Sequence, residues 1–422
     1  MGFSLIWNIN AKWIDGSVVI DFYISNNVRR EPDKFPGLPD NLEISVYRKK
    51  AEDFYYVKMR DEYFQTEDFN ASELVFSGKP ERKTENMFRW TDNEVETGEC
   101  YTYWLTTEMN DRPMSPVYVR AVDNDVIWTH EKTLAESRRI AGSYEGVDKK
   151  TYGRSIKGLD LVGLKKGNMD RAVVIVAGIH AAEAGQFTAL DIFENFLKNK
   201  DDDYFAKVGF AVFPASNPDE ADRMAHGHVS YLRTNSAGVD LNRNFPSDWE
   251  IVSDMYGLST DDPESATYRG PTPASEPETK AVLAFMEGIN PISVFSLHCY
   301  PGGITHDQFF GPGTGKDDEE YKAACMGLAV PYSEKFRNGE YPGQMFVAYG
   351  TTPGSFPVWV YRNFHVPAFD VESYDYYIRN HPEALQACNF RADTALMEEI
   401  SSRHYRGMEN YLSEYMKNQG LL

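Results

Sequence analysis

No stretch of this 422-residue chain approaches about 18 consecutive apolar residues, so a membrane-spanning helix is not expected. The opening "MGFSLIWNINAKWIDG" lacks a basic start, and its apolar stretch is too short and too polar for a secretory leader. Cysteine is scarce. Cys100, Cys299, Cys325 and Cys388 stand without C-x-x-C spacing, which favours thiols in a reducing compartment over a disulfide scaffold. The expectation is a cytoplasmic protein with no membrane insertion, although a secreted chain trimmed of its leader reads the same way. Basic residues are in deficit, 43 Lys plus Arg against 64 Asp plus Glu, and the net charge of −21 repels phosphate backbones and anionic lipid. Nucleic acid is excluded as an expected partner. Internal repeats and low-complexity tracts are also missing, and nothing specifies an oligomeric state.

What is present is enough apolar material, 42% with 14% aromatic, to build real cores, in a chain longer than one core usually supports. Residues 1–124 read as short strands, "SVVIDFYIS", "LEISVYRK", "ELVFSG", "MFRWTD", "CYTYWLTTEM" and "PVYVRAV", separated by Gly, Pro, Asn and Asp. That pattern predicts an all-β sandwich, similar to a fibronectin type III module, with Trp90 and Tyr101 as core aromatics and a spacer or packing role. From residue 125 to 422 strands alternate with helical stretches, among them "RAVVIVAGI", "GQFTALDIFENFLKN", "VGFAVFPAS", "ISVFSLH" and "VPAFDVES". Such alternation predicts an α/β domain with a parallel or mixed sheet.

In open α/β sheets ligands bind beyond the carboxyl ends of the strands. His180 closes "VVIVAGIH", His298 closes "ISVFSLH", and Glu372 stands at the end of "PAFDVES". His180 and Glu183, three apart, point at one ion if a strand-to-helix turn separates them, and His298 supplies a third ligand. Two imidazoles and a carboxylate, with one position left to water, suit one catalytic Zn2+. A lone His at a strand end is more often a hydrogen-bonded surface group, and H-x-x-E recurs by chance, so spacing alone leaves both readings open.

The surrounding sequence carries a resemblance. "GIHAAE", "NPDE", "RTNSAGVDLNRNFP", "YRGPTPASEPET", "SLHCY", "TTPGSF" and "VPAFDVES" occur in the order found in the M14 zinc metallocarboxypeptidase family, and the segment from about 130 to about 400 resembles it. The resemblance implies a mixed central sheet flanked by helices on both faces. It implies His180, Glu183 and His298 as metal ligands, Glu372 as catalytic carboxylate, and Asp240 as the acid that orients the first ligand histidine. It further implies Arg233 at the oxyanion, Asn242 and Arg243 at the terminal carboxylate of a peptide substrate, and Tyr349 as a mobile substrate-capping residue.

The chain departs from the family pattern in places. Glu220 replaces the usual Gly of "NPDE", and "GSFPVW" offers Phe356 and Pro357 with no acid, which disfavours a pocket for C-terminal Lys or Arg; another loop, with His306, is also available to shape the pocket. "GPGTGKDD" lacks the Ser or Thr of a phosphate loop after Lys316, and "AHGH", with His226 and His228, is expected on a cleft rim rather than at a metal. The reading favoured is a zinc-dependent exopeptidase that hydrolyses the C-terminal peptide or amide bond of a peptide with a free terminal carboxylate. A zinc amidase or deacylase acting on a cell-wall γ-glutamyl peptide or an N-acyl amino acid uses the same machinery and stays open. So does a non-catalytic binding protein.

Overall fold

In this computed structural model the described residues are 6–24, 43–51, 69–84, 86–107, 116–121, 128–183, 185–228, 232–252, 258–298, 308–337, 346–372 and 394–422. His306, Cys299 and Cys388 lie outside them. The chain divides into two units, Met1–Asn124 with Arg223–Tyr231, and Asp125–Asp222 with Leu232–Leu422.

The first unit is two four-stranded antiparallel sheets over one core. One sheet has the order β1 (Ile6–Ile14), β2 (Ser17–Ile24), β6 (Met87–Asp92), β5 (Glu81–Arg82); the other is β4 (Glu73–Gly78), β3 (Ile44–Ala51), β7 (Cys100–Thr107), β8 (Val117–Arg120). Ile20, Phe22 and Phe88 from the first meet Val46, Tyr103 and Leu105 from the second, with Tyr101 buried and Trp90 packed at the edge. β1 was not among the expected strands. Its signal is the Asp15–Gly16 pair, both at positive φ, which closes a tight hairpin onto β2. The "AHGH" segment also belongs to this unit, where the Trp13 and Arg120 amides donate to the carbonyls of His226 and Gly227. The 125–422 range did not anticipate this excursion, because hydrogen bonds to backbone carbonyls leave no trace in side-chain pattern.

The second unit is built on an eight-stranded mixed sheet with the order β15 (Phe346–Thr351), β14 (Gln308–Pro312), β16 (Ala368–Glu372), β13 (Pro291–His298), β11 (Ala172–Ala177), β12 (Gly209–Phe213), β10 (Asp160–Lys166), β9 (Asp148–Arg154). The four strands β16, β13, β11 and β12 run parallel, and β9, β10 and β14 introduce antiparallel pairs. Central strands buried on both faces need no polar alternation, which explains the unbroken "AVVIVA". Val173, Ile175 and Ala177 join one core, and Ala172, Val174 and Val176 join the other. The first core is covered by α2 (Gly185–Asn199), α6 (Glu319–Arg337) and α8 (Thr394–Asn418), the second by α5 (Pro277–Met286) and α7 (Phe356–Phe364). Helices therefore flank both faces. Among the described residues no helix is long and apolar enough to cross a membrane.

Candidate metal centre

β11 ends at Ala177, and three residues on His180 turns inward at the carboxyl edge of the sheet. The Glu183 amide donates to the His180 carbonyl, closing a turn that brings both side chains to the same side. Gly185 then opens α2 hard against β11: a Cβ there would lie 2.9 Å from the Ala177 Cβ and 3.1 Å from the Gly178 nitrogen. That close approach is why a glycine follows the acid.

His298 is the last residue of β13, next to β11. Its Nδ1 lies 2.9 Å from one Glu183 oxygen, and the His180 Nδ1 lies 3.0 Å from the other. The imidazole centroids are 4.8 Å apart, and one ligand atom from each of the three residues falls within 4.8 Å of the others. All three side chains are buried. Burying three ionisable groups around one point costs stability, and a shared dication is the usual compensation. The donors are two imidazole nitrogens and a carboxylate, a set that fits Zn2+.

Each imidazole is held from behind. His180 Nε2 lies 3.2 Å from Asp240 Oδ1, and Asp240 also accepts from Arg233 Nε at 2.8 Å and from the Asn242 amide at 3.0 Å. Burial alone would raise Asp240, but Arg233 and then Arg243 hold its carboxyl far below the ordinary range. His298 Nε2 lies 3.2 Å from Asp370 Oδ1 and 2.9 Å from Ser296 Oγ. Burial opposes its charge, yet Asp370 and then Glu183 hold it well above the usual imidazole value.

β13 and β16 run parallel with His298 in register with Glu372, which sets the second carboxylate beside the cluster. Burial first, and the Glu183 charge second, push Glu372 up to about 8. Among the described residues its Oε2 has no hydrogen-bond partner.

The remaining expected residues divide. Arg233 and Arg243 sit close around Asp240, Arg243 donating to the Asn242 carbonyl at 2.7 Å. Asn242 is more committed than a substrate-binding residue needs to be, because Nδ2 donates to Asp370 Oδ2 at 2.9 Å and Oδ1 accepts from the Phe356 amide at 3.0 Å. One amide hydrogen remains for a substrate. Tyr349 is not drawn into the cluster. It lies inside β15, opposite Gly311, with its ring against the core under α6 and its hydroxyl near the Cys325 thiol. Strand alternation, which sends every second side chain to that core, overrides the exposure expected of a capping tyrosine. Phe356 is likewise fully buried, its ring 5.0 Å from Phe245 and 6.1 Å from Trp359, so it belongs to the core. Asp370 was missed. The available signal was an acid two places before Glu372 in an apolar strand, hence on the same face.

The profile of the family described as zinc carboxypeptidase matches residues 134–386. The chain belongs to that family. A metallocarboxypeptidase A-like protein of Trichophyton verrucosum is 37% identical over 157 residues, 33% of this chain and 35% of that protein. Carboxypeptidase B of Astacus astacus is 31% identical over 203 residues, 43% of this chain and 62% of the other. The alignments span between about one third and two thirds of these relatives' lengths. Among solved structures, bovine thrombin-activatable fibrinolysis inhibitor superposes with a TM-score of 0.53 at 21% identity, over 69% of this chain and 98% of that one. Carboxypeptidase A from Helicoverpa armigera gives 0.55 at 17% identity, over 68% and 73%. These likenesses establish the zinc carboxypeptidase fold of the second unit.

Proposed function

We propose that this member of the zinc carboxypeptidase family is an exopeptidase that removes the C-terminal residue of a peptide carrying a free terminal carboxylate. The observation that carries the proposal is the convergence of His180, Glu183 and His298 from two neighbouring strand ends, with Glu372 in register beside them. When bound by those three residues, Zn2+ supplies Lewis acidity, which polarises a carbonyl and makes water acidic near neutral pH.

The chain's own residues do the rest. Glu372, with a buried oxygen unclaimed by other described groups, takes the proton of the attacking water and returns it to the leaving amine. Arg233, fixed by Asp240, presents a cation where the tetrahedral oxyanion develops. Arg243 offers a planar fork to the terminal carboxylate, and Asn242 adds its remaining amide hydrogen.

A panel of peptides with free C-termini, their C-terminal amides and N-acyl amino acids tests this reading, together with zinc content. Free peptides should be the best substrates, and Glu372→Gln should lower kcat by about 100-fold or more while zinc stays bound. A variant as fast as the parent ends the mechanism, and preference for N-acyl amino acids makes the chain a deacylase.

A further inference from the structure

We propose that Asp370 is a positioning residue of the metal centre, fixing His298 as Asp240 fixes His180, and that Asn242 ties the two carboxylates together. The proposal rests on the metal-centre reading above. Both histidines present Nδ1 to Glu183 and Nε2 to a buried carboxylate, at the same 3.2 Å. A ring nitrogen that holds a cation must be bare, so the imidazole hydrogen belongs on Nε2, and a carboxylate there selects that tautomer and locks the ring plane.

Asn242 makes the arrangement a closed circuit. Its side chain donates to Asp370 at 2.9 Å and its backbone amide donates to Asp240 at 3.0 Å. The sequence of contacts runs His180, Glu183, His298, Asp370, Asn242, Asp240 and back to His180. The Phe356 amide donates to Asn242 Oδ1 at 3.0 Å and pins the bridging side chain to the start of α7. Rotation of either imidazole would therefore break a contact at both ends of the ring.

Sheet building does not require this acid. Asp370 is flanked by Phe369 and Val371, both fully buried, and a carboxylate between them costs stability unless it is hydrogen-bonded. Both of its close polar partners belong to the site itself: the Asn242 amide, which donates to Oδ2, and the His298 imidazole, in ion-pair contact with Oδ1 at 3.2 Å. Ser296 is the rival for His298, since its hydroxyl is 2.9 Å from the same nitrogen and it sits in register with Asp370. A hydroxyl is a neutral partner that serves as donor or acceptor, so it selects neither tautomer; an ionised carboxylate only accepts.

The test is zinc affinity of the metal-free full chain, measured by competition with a chromophoric chelator for the parent, Asp370→Ala, Asp370→Asn and Ser296→Ala, with circular dichroism as the check on folding. Asp370→Ala should weaken zinc binding by about 10- to 100-fold, and Asp370→Asn by less, because the amide oxygen still accepts from Nε2. Ser296→Ala should stay within about threefold, and the visible spectrum of the cobalt-loaded protein should change in Asp370→Ala and not in Ser296→Ala. Folded Asp370→Ala with parental affinity overturns the proposal, as does a Ser296→Ala loss equal to or larger than that of Asp370→Ala. If Asp370→Ala does not fold, Asp370→Asn decides, and parental affinity there overturns it. A parent that binds no zinc defeats the metal-centre reading itself, a result distinct from these.

Discussion

Glu372 and Arg243 are the residues whose chemistry is most exposed to test. Glu372 stands at about 8 because it is buried beside the Glu183 charge. A dication held by Glu183 and the histidines favours the ionised carboxylate, so loading must move this group down. A base works deprotonated, and activity therefore rises with pH through its pKa. The acid limb of the kcat/KM profile for the zinc-loaded protein should lie below pH 8 and disappear in Glu372→Gln. A limb at 8 or higher in loaded protein would mean that Glu372 does not sense the ion. Arg243→Lys keeps the charge and loses the planar fork. It should narrow the preference for free over amidated C-termini by about tenfold or more, read as a ratio of kcat/KM values. Asp240 gives the residue scale its clearest economy, since one carboxylate meets an imidazole, a guanidinium and a backbone amide.

At the scale of elements, the loop that enters α7 binds the site to its support. Gly354 has φ +75°, and a Cβ there would stand 2.2 Å from the Arg243 carbonyl oxygen. Its amide donates to the Ser247 carbonyl and its own carbonyl accepts from Phe245. Gly354→Ala adds left-handed strain to a backbone clash, so the "NRN" turn must shift. Unfolding free energy should fall by more than about 1 kcal/mol, with kcat/KM falling further than the stability loss explains. Equal activity at reduced stability would show that the turn tolerates displacement. The register of β13 and β16 is the other element-level device, since a slip by one residue turns Glu372 to the opposite face.

Across the whole molecule, ion binding and acid stability give separate predictions. Zinc that binds only the folded state adds about 2.7 kcal/mol at one hundred times its dissociation constant, so chelation should lower the melting temperature of the parent and leave Glu183→Ala unchanged. His404, in α8, is held down to about 3 by burial, with the Tyr332 hydroxyl of α6 against its Nδ1. The unfolded chain, with an ordinary imidazole near pH 6.5, binds the extra proton between about 6.5 and 3. The favourable balance is complete above that window and is lost as pH falls through it. In His404→Gln that loss should be absent, and the parent-to-variant difference should change by about 1.4 kcal/mol per pH unit across the window.

Local sequence determined much of this. Alternation of strands and helices, the apolar "AVVIVA", and the polar ends of "VVIVAGIH", "ISVFSLH" and "PAFDVES" were legible because burial and periodicity act residue by residue. The family motifs carried the candidate ligands with them. Tertiary structure alone decided that Asp370 backs His298, that Asn242 bridges two carboxylates through its side-chain and backbone amides, that Tyr349 faces the α6 core, and that the His226 segment joins the sandwich. Each depends on strand register or on a hydrogen bond between segments far apart in the chain. Such contacts carry no local period, so only the folded chain reveals them.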